Sequence, residues 1–222
     1  MGSTSLAFPN ATELLDHWVW RPEWTQNRTC LYWYLTFRED EIVSAVGEPA
    51  LRAVRRTDWL DAVPPRWCHV TVADVAFTDD LRPTDIEQVT LAVAQALADQ
   101  DHLRLSLGPV QTFRTAVVLE THPLGRLRAV KAEVRRATSA ALGQRHTDFH
   151  RTLFWPHVSL GYVNRSVDAE TAATFRASMP PVEARVDVNA LTLAAVTRIG
   201  RGYQWQVEAQ VDLLGDSARS SR

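Results

Sequence analysis

The sequence predicts an α+β fold built on an internal two-fold duplication, and three observations carry that reading. Strand-type and helix-type segments succeed one another as strand, helix, strand, helix, strand, and then again in a fainter second round. The 222 residues, 45% hydrophobic and 23% charged, suit a soluble globular chain whose sizeable core forms one large or two small lobes. Two β-type runs, 88 residues apart, carry Trp, His, Val, a hydroxyl residue and an aliphatic residue in the same order.

Taken in order, 31–37 (LYWYLTF) is rich in aromatic and β-preferring residues and reads as a strand. Residues 40–56 read as a helix, with Ile42, Val46, Leu51 and Val54 near helical spacing and Pro49 in its middle. Pro64-Pro65 closes that region, and 67–77 (WCHVTVADVAF) is β-type. A helix over 82–100 carries a stripe of Ile86, Val89, Val93, Ala96 and Leu97, with Thr84 and Glu87 as its expected capping box. Residues 103–107 and 113–120 read as two strands around Gly108-Pro109. A second long helix spans 124–142 and stops at Gly143. Residues 154–163 (FWPHVSLGYV) are β-type again, and 166–178 is a short helix capped by Ser166 or Asp168. The stretch 185–213 reads as two or three strands with a hairpin turn at 198–202. No Gly/Ser linker, charge block or low-complexity tract divides the chain. Residues 1–29 are expected as an N-terminal extension, 30–213 as the folded domain and 214–222 as a disordered tail.

Composition narrows the function. A formal charge of −2 gives no global positive field, so contact with RNA would be local and shaped. Lys131 is the only lysine among the 24 basic residues, and arginine is the better fork for phosphate. Cys30 and Cys68 offer neither a disulfide framework nor metal spacing, and read as two buried thiols in a reducing cytosol. There is no basic region followed by an apolar stretch at the N-terminus, and no apolar run approaches the ~20 residues of a membrane span. A cytoplasmic location is expected, with no membrane and no obligate protein partner. No phosphate loop of the Gly-x-x-x-x-Gly-Lys type exists, so ATP-driven lysine adenylation is not expected. His146 and His150 are four apart without the following Glu of a helical zinc motif; no metal or cofactor is expected.

The two β-type runs carry the chemistry. Trp67-Cys68-His69-Val70-Thr71-Val72 lies over Trp155-Pro156-His157-Val158-Ser159-Leu160. Side chains alternate faces along a strand, so His69 and Thr71 share a face, as do His157 and Ser159, with Trp67 and Trp155 at the same parity. Val70 and Val72 point the other way, into the core. Seven histidines predict roughly one His-x-Ser/Thr by chance, and His150-Arg151-Thr152 is such a match. Requiring apolar residues on both sides of the hydroxyl, as a half-buried strand does, lowers the expectation to roughly 0.2. His69 and His157 pass that test and His150 fails it.

On these two motifs the chain resembles the two-histidine (2H) phosphoesterase superfamily, within it the 2′-5′ RNA ligase-like and cyclic nucleotide phosphodiesterase branch. The resemblance covers roughly residues 30–213. It implies a bilobal fold of two interleaved, pseudo-symmetric lobes, with antiparallel sheets lining a central cleft and helices outside. It implies His69 and His157 as the catalytic pair and Thr71 and Ser159 as phosphate-binding hydroxyls. The expected activity is metal-independent opening of a 2′,3′-cyclic phosphate or a 2′-5′ phosphodiester, with a nucleotide or RNA end as partner. Imidazole, with an ordinary pKa of about 6.5, suits either proton-transfer role, and the pseudo-symmetry leaves the roles unassigned. A binding module without turnover, or an enzyme on another ester, are the alternatives on the same scaffold. Trp67, Trp155, Tyr34, Phe113, Arg114, Arg198 and Tyr203 are the candidate substrate contacts, as base stackers or phosphate ligands, against a core or solvated role for each. Strand parity puts Tyr162 on the face opposite His157, and His17, His102, His122, His146 and His150 default to surface or capping roles.

Overall fold

The structure is a computed structural model and describes residues 13–19, 24–25, 27–147 and 154–213. The expected tail at 214–222 and His150 lie outside these residues. The first predicted strand is β1 (Thr29–Thr36), and both of its faces are covered. Leu31, Trp33 and Leu35 enter the main core, while Cys30, Tyr32 and Tyr34 join a smaller cluster with Trp24, Phe77 and Val196. The stretch expected as one helix is two, α1 (Glu39–Val46) and α2 (Glu48–Arg55). Gly47 parts them at a φ of 79°, and Pro49 falls in the first turn of α2, where its missing N–H leaves no bond unmade. A strand of three residues, β2 (Leu60–Ala62), is too short to leave a periodicity in the sequence. Pro65–Trp67 forms a single 3-10 turn, so β3 (His69–Phe77) starts two residues later than the β-type run.

Pro83 takes the first position of α3 (Pro83–Ala96), which puts Asp85 rather than Glu87 third in the helix. Asp85 accepts from the Arg82 backbone N–H at 2.8 Å, so the cap expected at Thr84 and Glu87 sits two residues earlier. The Asp85 carboxylate is buried, and the Arg82 and Arg145 guanidinium groups that hold it keep its pKa down at about 2. β4 (Leu103–Phe113) continues through Gly108-Pro109 as a bulge instead of turning there. The turn to β5 (Ala116–His122) is made by Arg114 and Thr115. α4 (Leu124–Leu142) ends at Gly143 with φ 58°, as its sequence predicts. β6 (His157–Val163) follows, and then α5 (Ala169–Ser178), capped by Asp168, which accepts from the Thr171 N–H at 2.8 Å. β7 (Ala184–Val188), β8 (Ala190–Arg198) and β9 (Tyr203–Asp212) complete the order, and Ile199 N–H to the Gly202 carbonyl closes the expected hairpin.

All pairings are antiparallel and form one sheet, in the order β7-β4-β5-β6-β3-β1-β8-β9, with β2 beside β6. The sheet curls into a half-barrel with the helices outside. It is palindromic about its centre: β4 to β7 make one half, while β8 and β9 return from the chain's end to complete the half begun by β1 and β3. The halves meet at a single pair, Val70 opposite Val158. These are the equivalent residues of the two aligned motifs, and an antiparallel pair of equivalents is what a pseudo-two-fold axis requires. Fully buried Leu103, Leu105 and Leu107 alternate with exposed Arg104 and Ser106 along β4, one face to the core and one to solvent. Outside the sheet α4 lies on β3 and β5, packed against α3, and Trp33 donates its indole N–H to Thr138 of α4 at 3.2 Å. Among the described residues no helix is long and apolar enough to cross a membrane.

Candidate active site

Because the axis runs between Val70 and Val158, the next residue outward on each strand's other face is a histidine. His69 Nδ1 lies 2.7 Å from the Trp67 carbonyl, and His157 Nδ1 lies 2.6 Å from the Trp155 carbonyl. A carbonyl oxygen only accepts, so each Nδ1 carries the proton and donates it. The same bond, made twice, fixes both neutral rings in one tautomer, with the lone pair on Nε2. Both rings are half-buried and line a common cavity of about 600 Å³, together with Thr71 and Ser159. Burial, followed by proximity to His157, lowers the His69 pKa from 6.5 to about 4, against the pull of its bond to Trp67. The imidazoles are therefore near enough for a charge on one to oppose a charge on the other.

Each histidine has an aromatic neighbour. Tyr34 stacks on His69 with centroids 3.8 Å apart and planes 14° from parallel, and Phe113 sits 5.2 Å from His157. Burial raises the pKa of the Tyr34 and Tyr162 phenols well above the usual range. Cys68, next to His69, has its thiol pushed up to about 12 by burial and is no nucleophile.

Tyr162 lines the cavity, contrary to the parity expectation. Val117 and Val118 of β5 face Gly161 and Ser159, so Leu160 is an extra residue in β6 and the alternation slips by one. A lone glycine inside a strand-type run is the signal that marks such a bulge. Of the other expected contacts, Tyr34, Phe113, Arg114, Trp155, Arg198 and Tyr203 all line the cavity. Trp67 does not: it belongs to the 3-10 turn, where strand parity no longer holds, and its ring packs edge-on against Trp205 at 5.4 Å. Its carbonyl, not its ring, serves the site.

The cavity also takes in His17 and Lys131, which no motif in the sequence marks. His17, expected at the surface, bonds through Nδ1 to Thr115 Oγ1 and through Nε2 to the Tyr203 hydroxyl, both at 3.0 Å, and stacks on Tyr162 at 4.2 Å. The buried Arg198 donates to the Trp18 carbonyl at 2.6 Å. Lys131, the single lysine, reaches the cavity from α4 with its ammonium 4.5 Å over the Phe154 ring. Arg114, Lys131 and Arg198 against Asp16 make the lining cationic although the chain is not. His146 instead bridges Ser139 and the Asp74 carbonyl, and His122 faces Glu120, both structural positions. Among the described residues no group of three or more His, Cys, Asp or Glu could hold a metal ion.

The sequence profile of the 2'-5' RNA ligase superfamily matches residues 43–198. The chain belongs to the 2'-5' RNA ligase superfamily. Solved structures share the fold of this superfamily member. TT0787 of Thermus thermophilus superposes with a TM-score of 0.62 at 20% identity, over 84% of this chain and 99% of that one. A phosphoesterase of solved structure gives 0.61 at 15% identity, over 84% and 99%. LigT of E. coli complexed with 3'-AMP gives 0.58 at 14% identity, over 85% and 99%. No curated protein matches the sequence. Superfamily and fold agree with the 2H phosphoesterase resemblance carried by the two histidine motifs.

Proposed function

We propose that the protein is a phosphoesterase that opens a 2′,3′-cyclic phosphate, or cleaves a 2′-5′ phosphodiester, on a nucleotide or RNA end. One observation carries this reading: two imidazoles on equivalent strands, each with Nδ1–H tied to the backbone two residues back, share one cationic cavity. In-line displacement at phosphorus needs a base on the attacking oxygen and an acid on the leaving oxygen, on opposite sides. His69, with its pKa lowered to about 4, is neutral near pH 7 and takes the base role; the acid falls to His157. Water loses a proton to His69 Nε2 as its oxygen bonds to phosphorus. The P–O bond to the ribose oxygen breaks, and that oxygen takes the Nε2 proton of His157, which enters the step as the imidazolium and leaves it neutral, giving a phosphomonoester.

Thr71 and Ser159 donate to the non-bridging oxygens, where charge develops. Tyr34 and Tyr162 line the same cavity as these two hydroxyls. Arg114, Lys131 and Arg198 supply the potential that draws in a phosphate. The scheme routes no step through a metal. That LigT of similar fold has been solved with 3'-AMP supports a nucleotide ligand of this kind. Cys30 and Cys68, both buried free thiols, fit the reducing cytoplasm in which we place the protein.

The test is to incubate the protein with 2′,3′-cyclic mononucleotides and a 2′-5′-linked dinucleotide in excess EDTA, following products by phosphorus NMR. A monoester resonance is expected. Saturable binding without any product would leave a nucleotide-binding module, and activity lost in EDTA would leave a metal enzyme; either contradicts the proposal.

A further inference from the structure

Away from Val70 and Val158 the two halves of the sheet share no further strand pair among the described residues, which leaves a gap between their ends. Residues 13–19, which lie outside the 43–198 region matched by the superfamily profile, cross that opening. The crossing is fixed to both sides. Leu14 pairs with Val167, the Leu15 N–H donates to the Arg114 carbonyl at 2.8 Å, and the His17 N–H donates to the Val163 carbonyl at 2.8 Å, all on the β4–β6 half. The Trp18 indole N–H donates to Asp61 of β2, beside β6, at 2.7 Å, while the Trp18 carbonyl accepts from Arg198 of β8 on the other half. At the midpoint His17 joins the halves through a single ring, with Thr115 on one nitrogen and Tyr203 on the other. Tyr162 and Tyr203, one from each half, touch beside it with centroids 5.4 Å apart.

We propose that residues 13–19 form an end wall of the cleft and that His17 is the positioning residue that closes it. The cavity is thereby restricted to a nucleotide-sized phosphoester or a chain terminus, and an internal stretch of RNA is excluded. The inference rests on the phosphoesterase reading and adds the size class of its substrate. Threading a polynucleotide through the cleft needs both ends open. Here one end is blocked by a clasp of two hydrogen bonds and a ring stack. The volume of about 600 Å³ falls within the range of small-ligand sites. The wall also bears on the site itself, because Tyr162, which lines the cavity with Ser159, receives the His17 ring.

The experiment compares adenosine 2′,3′-cyclic phosphate with an RNA oligonucleotide carrying one internal 2′-5′ bond, for wild type, His17→Ala and His17→Gln. Wild type is expected to favour the mononucleotide in kcat/KM by about 100-fold or more. His17→Ala is expected to cut that ratio to under about 10-fold, chiefly through a higher mononucleotide KM, while His17→Gln, which keeps a donor and an acceptor, retains most of it. Equal use of both substrates by wild type, or an unchanged ratio in His17→Ala, would overturn the proposal. Calorimetric binding of adenosine 3′-monophosphate and of the oligonucleotide to His69→Ala repeats the comparison without turnover. A size preference in binding with no product from wild type rejects the phosphoesterase reading and keeps the wall. Product without a size preference does the reverse.

Discussion

At the residue scale, the reactivity of His69 follows from what surrounds its ring. Tyr34 covers one face at 3.8 Å and the Trp67 carbonyl holds Nδ1–H, so protonation would place a charge on a ring that has lost much of its contact with water. With the pKa lowered from 6.5 to about 4, the base proposed here stays unprotonated well into acid. The acid limb of kcat/KM against pH is therefore expected near pH 4 to 5 in wild type. Tyr34→Ala, which admits water to the ring, should move that limb up toward 6.5; a wild-type limb already at 6.5 would contradict this account. Linkage gives a second, independent reading. The unfolded chain binds a proton at about 6.5 that the folded chain refuses until about 4, so folding stability falls as pH drops through that window. Urea midpoints at pH 7 and pH 5 should differ more for wild type than for His69→Gln. Strand parity alone was enough to pair His69 with Thr71 and His157 with Ser159. The same rule misplaced Tyr162, because Leu160 is an extra residue beside Gly161 and one inserted residue reverses every later side chain.

At the element scale, long periodic segments were legible and short or interrupted ones were not. α3, α4 and the β1, β3 and β6 strands carry enough turns or alternations for a period to stand out. β2 has three residues and shows none. Gly47 divides α1 from α2 where the apolar spacing continues across the break, so a single helix was the natural reading of 40–56. Gly108 misleads for a related reason: Gly-Pro usually marks a turn, yet here it is a bulge within β4. Its φ of 114° and the nearness of the Val182 carbonyl leave no room for a Cβ. Gly108→Ala is thus expected to destabilise the fold by about 2–4 kcal/mol, read from urea unfolding, through strain and displacement of the chain at Val182. A change below about 0.5 kcal/mol would show that the backbone there gives way freely. By contrast Gly143→Ala meets open space and carries only the backbone cost of its φ of 58° and ψ of −129°, about 1–3 kcal/mol.

At the scale of the whole molecule, the duplication places the chemistry. Each half supplies one imidazole and one hydroxyl to the cavity, and the palindromic sheet brings them together at Val70 and Val158. This much was foreshadowed by the 88-residue repeat, since equivalent strands of a two-fold duplication meet at its axis. The wall made by residues 13–19 had no such foreshadowing: His17 has no counterpart in the repeat, and its partners lie 98 and 186 residues away in sequence. Contacts of that range leave no local pattern. If the two histidines act on one phosphorus atom, they act as a unit, and their losses will not add. The decisive measurement is kcat on a 2′,3′-cyclic mononucleotide for His69→Ala, His157→Ala and the double variant, each with an unchanged thermal midpoint. Each single change is expected to cost about 10²–10⁴-fold, and the double change little more than the larger single one. Losses that multiply, or near-wild-type turnover by either single variant, would contradict a shared reaction centre.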